Sequence, residues 1–311
     1  MPTLHWTRRQ KVRFNLQSSV VTSRIRVVAV DIDGTLTDPQ FHVSERNIAA
    51  LRAAHDAGIQ IILATGRRHD YAMPIARELG VPILLVSSNG ALVRSSEGET
   101  LFTECLAAST ARKLIRHMDP YRGHAVLTFE RPSHPGNGAL VLERADELAQ
   151  SVSRWLEVNR PYIKFVAPLE DALTEDPVQA MYCGTIAFMK EVQCRLEKAE
   201  FLDEITVLKT QYDHRDLCLL DILAADCSKG HALRRWARDQ GIAREEIMAI
   251  GDNYNDLEML EFAGLPVVMA NASDDLKHNG WQLTASNSEN GVALAVEELL
   301  RTGFQSPIQR E

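Results

Sequence analysis

Two carboxylates one residue apart, Asp31 and Asp33, close the β-branched run Arg26-Val-Val-Ala-Val and are followed at once by Gly34. Such a run reads as a buried strand that hands its acids to a loop at its C-terminal edge. At i and i+2 of an extended segment two side chains point to one side, and a glycine turn redirects the second. One site can therefore use them in different roles. A carboxylate held beside a divalent cation stays ionised and can attack a phosphorus centre, while a second carboxyl protonates the leaving oxygen and later activates water. The spacing assigns the first part to Asp31 and the second to Asp33.

Two anions and a phosphate in one pocket require positive charge. Asp252 and Asp256 follow another apolar run, Ile247-Met-Ala-Ile250. They supply hard oxygen ligands of the kind magnesium prefers, together with Asp31 and a backbone carbonyl from Asp33. Lys229 at a helix start supplies a fixed ammonium, Thr65 a hydroxyl and Gly66 an amide for the phosphoryl oxygens.

The elements that must position these groups are set by periodicity. Ser44 caps a helix to about residue 57, with Ile48, Leu51 and Ala54 on one face and Gly58 as its stop. The runs Ile59-Gln-Ile-Ile-Leu63 and Pro82-Ile-Leu-Leu-Val86 flank a helix over 70–79 and end in Ala64-Thr65-Gly66-Arg67 and Ser87-Ser88-Asn89-Gly90. Continuous apolar strands alternating with helices specify a parallel sheet covered on both faces, whose ligands bind at the strands' carboxyl ends.

From residue 91 the pattern changes. Shorter strands are expected near 101–103, 124–130, 162–166, 184–189, 205–212 and 217–223, with helices near 107–118, 143–157 and 190–199. This is an α+β insertion forming its own layer, with an exposed loop at 131–138. The first pattern returns after Asp226: a helix from Ser228 to Gln240, a strand over 247–250, a further helix, a strand over 266–269 and a final helix over 291–300. The expected fold is α/β, a Rossmann-like parallel-sheet core (25–90 and 224–305) split by an inserted α+β cap (91–223), after a basic extension (1–24).

These residues carry a resemblance. Asp31-Ile-Asp33-Gly34-Thr35-Leu36, Ala64-Thr65-Gly66-Arg67, Ser228-Lys229-Gly230 and Gly251-Asp252-Asn253-Tyr254-Asn255-Asp256 resemble, in order, the four motifs of the haloacid dehalogenase (HAD) superfamily. The insertion after the third strand, Ser88-Asn89-Gly90, Met269-Ala-Asn271-Ala and Asn290-Gly291-Val292-Ala293 resemble its Cof-type phosphatases. The resemblance implies Asp31 as nucleophile and metal ligand, Asp33 as general acid/base, Thr65 and Lys229 as phosphate contacts and Asp252 as a further magnesium ligand. It implies Asn255 and Asp256 as supports of the metal, and Arg67 and Asn89 as substrate contacts. Asn290 departs from the Asp common there.

Each motif alone also fits a solvated turn or an ordinary helix start; four in order at the ends of the right elements do not. An acid at position 33 favours hydrolysis of a phosphomonoester. The expected activity is a magnesium-dependent phosphatase of small phosphorylated metabolites, sugar phosphates foremost, working through an aspartyl-phosphate. A hexose-type phosphomutase shares the tetrad, and a catalytically silent binding protein shares the fold; the intact acids, Thr65 and Lys229 argue against the latter.

The rest of the 311-residue chain bounds this reading. It carries a net charge of -8, with 45% hydrophobic and 24% charged residues, which excludes nucleic acid or an anionic membrane as the main partner. No run is long and apolar enough to span a bilayer. Five scattered cysteines suit reduced thiols in a cytoplasmic setting. The basic, acid-free residues 1–24 fit a targeting segment or a tail, and their weak periodicity favours the tail. His124, His134 and His214 read as surface or core residues, Cys227 as a packed thiol, and Trp155 and Trp236 as core or cap-interface residues. The sequence assigns no oligomeric state.

Overall fold

The computed structural model of the chain describes residues 24–131, 136–145 and 152–302. In chain order the elements are β1 (Val27–Asp31), α1 (Glu45–Asp56), β2 (Gln60–Ala64), α2 (His69–Glu78), β3 (Ile83–Ser87), β4 (Leu92–Ser95), β5 (Thr100–Thr103), α3 (Ala108–His117) and β6 (Ala125–Thr128). There follow β7 (Leu140–Leu142), α4 (Ser153–Asn159), β8 (Ile163–Phe165), β9 (Gln179–Gly184), α5 (Ile186–Leu196), β10 (Ile205–Tyr212), β11 (Leu217–Ala224) and α6 (Lys229–Asp239). The chain closes with β12 (Ile247–Gly251), α7 (Leu257–Phe262), β13 (Leu265–Val268), α8 (Asp274–Lys277), β14 (Gln282–Leu283) and α9 (Gly291–Arg301).

Two sheets result. The larger has the order β14-β13-β12-β1-β2-β3-β4-β5, parallel from β14 to β3. Strand β1 is buried on both faces. Val28 and Val30 pack with α1, α2 and α9, and Val27 and Ala29 with α6 and α7. This is why β1 reads as a continuous apolar run. Burying each such side chain contributes roughly 1.5–3 kcal/mol, so β1 is a rigid mount for the acidic loop at its carboxyl end. Chain order reverses between β1 and β12, which places the crevice for a ligand beyond their carboxyl ends.

Two stretches depart from expectation. The insertion was expected to begin at residue 91, but β4 and β5 pair antiparallel to β3 and to each other, extending the larger sheet. Only after them does the chain enter the second sheet, β10-β11-β9-β6-β7-β8. The strand expected at 184–189 and the helix at 190–199 are displaced: Thr185 caps α5 by accepting the Phe188 N–H, so the helix begins at Ile186. Met189, Val192 and Leu196 then bury at helical spacing. Of the helix expected over 143–157, residues 146–151 lie outside the described residues, 143–145 are not helical and α4 covers Ser153–Asn159; β7 occupies residues to which the sequence assigns no element.

The second sheet is two-faced. Ala180, Tyr182, Cys218, Leu220 and Ile222 pack against Leu114 and Ile115 of α3 and Met189 and Val192 of α5. The alternating residues of β9 and β11, Gln179, Met181, Leu217, Leu219 and Asp221, face a cavity shared with the larger sheet. Among the described residues no helix is long and apolar enough to cross a membrane. The basic extension lies outside the described residues apart from Arg24, as do residues 132–135 of the 131–138 loop, His134 among them.

Candidate active site

Strand β1 delivers Asp31 to the crevice, 4% exposed. The chain then turns sharply: the amides of Leu36 and Thr37 donate back to the Ile32 carbonyl at 3.1 and 3.0 Å. Gly34 makes the turn at φ +86°, and a Cβ there would lie 2.3 Å from Asp252 Oδ2. Only glycine permits both the backbone conformation and the close approach of the Asp252 loop.

Lys229 is completely buried at the start of α6, whose N-cap Ser228 accepts the His231 N–H at 3.0 Å. Its ammonium donates to Asp31 Oδ1 at 2.6 Å and to Asp256 Oδ1 at 2.7 Å. Burial pulls the Lys229 pKa down, but Asp256 and Asp31 outweigh it and the net shift is upward. Asp256 is anchored further: its Oδ2 accepts the amides of Asp252 and Asn253 at 3.1 and 3.0 Å. Thr35 donates to Asp252 Oδ1 at 2.9 Å.

Asp31, Asp252 and Asp256 each place one carboxylate oxygen within 4.8 Å of the others. Burial, Asp256 and Asp33 push the Asp31 carboxyl up to about 7 against the pull of Lys229. Burial and the neighbouring Asp31 and Asp256 raise Asp252 well above the carboxylate range. Three buried carboxylates around a single ammonium leave negative charge that protonation or a further cation relieves. An all-oxygen donor set of this kind fits magnesium.

The other expected residues lie as follows. Thr65 is fully buried after β2, and its Oγ1 accepts the Arg67 amide at 3.1 Å. Gly66 lines the cavity. Arg67 lines the cavity and grips Asp33 through Nε to Oδ2 at 2.7 Å and Nη2 to Oδ1 at 2.6 Å. The guanidinium also lies over Tyr71, 4.8 Å from the ring centroid. Asn89, expected at the substrate, is fully buried, does not line the cavity, and is spent on other side chains. It donates to Asp221 Oδ2 at 2.9 Å and accepts from Asn255 Nδ2 at 3.0 Å. Asn290 adopts φ +61°, a left-handed conformation that Asn tolerates as Asp does.

The loop after β12 is stitched to the second sheet. Asn253 imitates a strand partner, donating to the Gln211 carbonyl at 3.0 Å and accepting the Gln211 amide at 3.2 Å. The sheet thus roofs a cavity of about 270 Å³. Its floor includes Asp31, Asp33, Arg67 and Asn255, and its roof includes Trp155, Tyr212, Met181, Leu219 and Asp221. Trp155 is an interface residue as expected, whereas Trp236 and Cys227 are buried in the core. The His124 ring packs on Phe188 at 4.3 Å, away from the cavity. Asp221 and Gln179 were missed by sequence reasoning. A lone acid within Leu217-Cys-Leu-Leu-Asp-Ile-Leu-Ala224 was the available signal, because unpaired acids are almost never buried.

Comparison with known proteins points the same way. A family model described as haloacid dehalogenase-like hydrolase matches residues 28–296. The chain is 29% identical over 297 residues to the phosphatase YwpJ of Bacillus subtilis, across 89% of this chain and 100% of that protein. It is 28% identical over 298 residues to the 5-amino-6-(5-phospho-D-ribitylamino)uracil phosphatase YwtE of B. subtilis, across 89% and 98% of the two chains. A solved haloacid dehalogenase-like hydrolase from Bacteroides thetaiotaomicron superposes with a TM-score of 0.72 at 25% identity, covering 89% of this chain and 100% of that one.

Proposed function

The chain belongs to the haloacid dehalogenase-like hydrolases and is a phosphatase of small phosphorylated substrates; on that premise we propose that it hydrolyses phosphomonoesters with magnesium through an aspartyl-phosphate on Asp31. The observation that carries the reading is the Lys229 ammonium held between Asp31 and Asp256. It leaves the second oxygen of Asp31 for attack at the floor of the cavity.

Asp31 and Asp252, with the Asp33 carbonyl, would hold the magnesium ion, and Asp256 and Asn255 would support it. When bound, the ion neutralises charge on the transferring phosphoryl group. Thr65, the Gly66 amide and Lys229 orient that group. Asp31 forms a bond to phosphorus as the ester P–O bond breaks, and Asp33 gives its proton to the departing alcohol oxygen. Asp33 then takes a proton from water, which displaces Asp31 and releases phosphate. The incoming phosphate dianion competes for Arg67, loosening its hold on Asp33. The roof of the cavity forms a cap over the leaving group and excludes bulk water. Sugar phosphates fit this reading because Thr128, Gln179, Thr210 and Asp221 bring polar groups to that roof.

The test is phosphate release from a panel of phosphorylated metabolites and p-nitrophenyl phosphate with magnesium. Wild-type protein turns over, and Asp31→Asn loses turnover by more than about 10³-fold while keeping its circular dichroism spectrum. Retained activity in Asp31→Asn removes that residue from the nucleophilic role. Isomerisation of a hexose phosphate without phosphate release marks a mutase instead.

A further inference from the structure

Most of the cavity roof is apolar, formed by Trp155, Met181, Leu217 and Leu219 among others. Against it stand Gln179 at the start of β9 and Asp221 within β11, 5% and 6% exposed. The Gln179 Nε2 donates to Asp221 Oδ1 at 3.1 Å. Asp221 Oδ2 accepts from Asn89, and Asn89 from Asn255, so the pair is braced against the core through a chain of side-chain amides. Gln179 Oε1 is buried and has no hydrogen-bond partner within the protein.

The orientation of the Gln179 amide is determined by its neighbour. While Asp221 is ionised, turning it over would press its oxygen against a carboxylate oxygen, so Nε2 stays on Asp221 and Oε1 is left over. A buried acceptor without a partner costs about 1–3 kcal/mol. Both residues line the cavity above Asp31 and Asp33. A ligand atom that satisfies Oε1 must be a donor, and while Asp221 is ionised its remaining carboxylate sites are acceptors as well, beside the second N–H of Gln179.

We propose that Gln179 and ionised Asp221 form a specificity subsite that binds a hydrogen-bond donor, a hydroxyl or an amino group, on the leaving group of the phosphomonoester. This rests on the phosphatase reading and narrows it. The apolar roof around the pair receives the carbon skeleton, and an analogue lacking the donor leaves Oε1 unpaired. Discrimination of this kind is steep, since a site built around a substrate hydroxyl rejects the molecule without it.

The experiment compares kcat/KM for glucose 6-phosphate, glucosamine 6-phosphate and cyclohexylmethyl phosphate, a ring of the same shape without donors. In wild-type protein with magnesium above about pH 8, where Asp221 is ionised, at least one donor-bearing sugar exceeds the donor-free ester. Gln179→Leu lowers that selectivity ratio by about 10–100-fold. Asp221→Asn lowers it too, because the new amide can accept from Asn89 and donate to Gln179, turning Gln179 over so that it faces the cavity with N–H groups. Loss of the ratio for the hydroxyl or the amino sugar tells which donor is read. An unchanged ratio in both variants, or equal proportional loss on all three esters, overturns the subsite. Failure of wild-type protein to hydrolyse p-nitrophenyl phosphate overturns the phosphatase reading itself. Melting curves of both variants separate loss of fold from loss of selectivity.

Discussion

Arg67 holds Asp33 through two parallel hydrogen bonds of 2.6 and 2.7 Å, although 34 residues separate them in the chain. The fork fixes the orientation of the carboxylate proposed as acid/base. Removing that restraint therefore lowers turnover without touching the nucleophile. Arg67→Ala is expected to reduce kcat by about 10–100-fold, less than the 10²–10⁴-fold of losing the acid/base itself in Asp33→Asn. Arg67→Lys recovers little, since a point charge cannot form two parallel bonds. Steady-state kinetics on p-nitrophenyl phosphate decide it; a Lys variant equal to wild type shows that charge alone matters.

Lys229 compensates two buried carboxylates at once. Lys229→Met leaves them unpaired and is expected to destabilise the protein by about 3–5 kcal/mol in chelator. Magnesium then raises the melting temperature more in the variant than in wild type, because the cation meets a larger unrelieved charge. Urea melts and thermal scans with and without magnesium measure both effects. Equal stability of the two proteins in chelator contradicts the charge argument.

Gly34→Ala forces a Cβ into a backbone at φ +86° and against Asp252 Oδ2. The expected cost is about 1–3 kcal/mol of strain, with weaker magnesium binding as Asp252 is displaced. Calorimetric titration of magnesium reads the second effect. Unaltered affinity would mean that Asp252 does not hold the ion.

Burial pushes the Asp221 carboxyl from 3.8 up to about 7, partly offset by the Asn89 hydrogen bond and by Lys229. A carboxyl whose pKa is raised in the folded state holds its proton more tightly than in the unfolded chain. Its contribution to stability is complete below about pH 4 and is lost as pH rises through about 7. Wild-type protein should therefore lose melting temperature relative to Asp221→Asn between pH 5 and 8. The other raised carboxyls, Asp31 and Asp252, are common to both proteins and cancel in the difference. Parallel melting profiles across that range exclude the assignment.

The parts of the site legible in sequence are those written locally. Asp31, Thr65, Asn89 and Asp252 each lie at or within a residue or two of the end of an apolar strand, so strand periodicity alone places them at one sheet edge. Lys229 comes directly after a capping Ser at a helix start. The errors fell where local signals are weak or shared. Thr185-Ile-Ala-Phe-Met189 fits a strand as well as a first helical turn, and the cap at Thr185 decides for the helix. The β4–β5 hairpin carries no mark of which sheet it joins; that depends on the free edge of β3.

The sequence by itself singled out the residues proposed for phosphoryl transfer and the order of the elements that present them, because both are encoded in runs of a few residues. Only the tertiary structure decided how those residues are spent. Arg67 holds Asp33 at the cavity floor, Asn89 bridges to Asp221 across 132 residues, and Gln179 is left with an unpaired oxygen beside the cavity. These outcomes depend on pairings between distant strands and loops, where partner choice is governed by burial and hydrogen-bond geometry that no local stretch of chain contains.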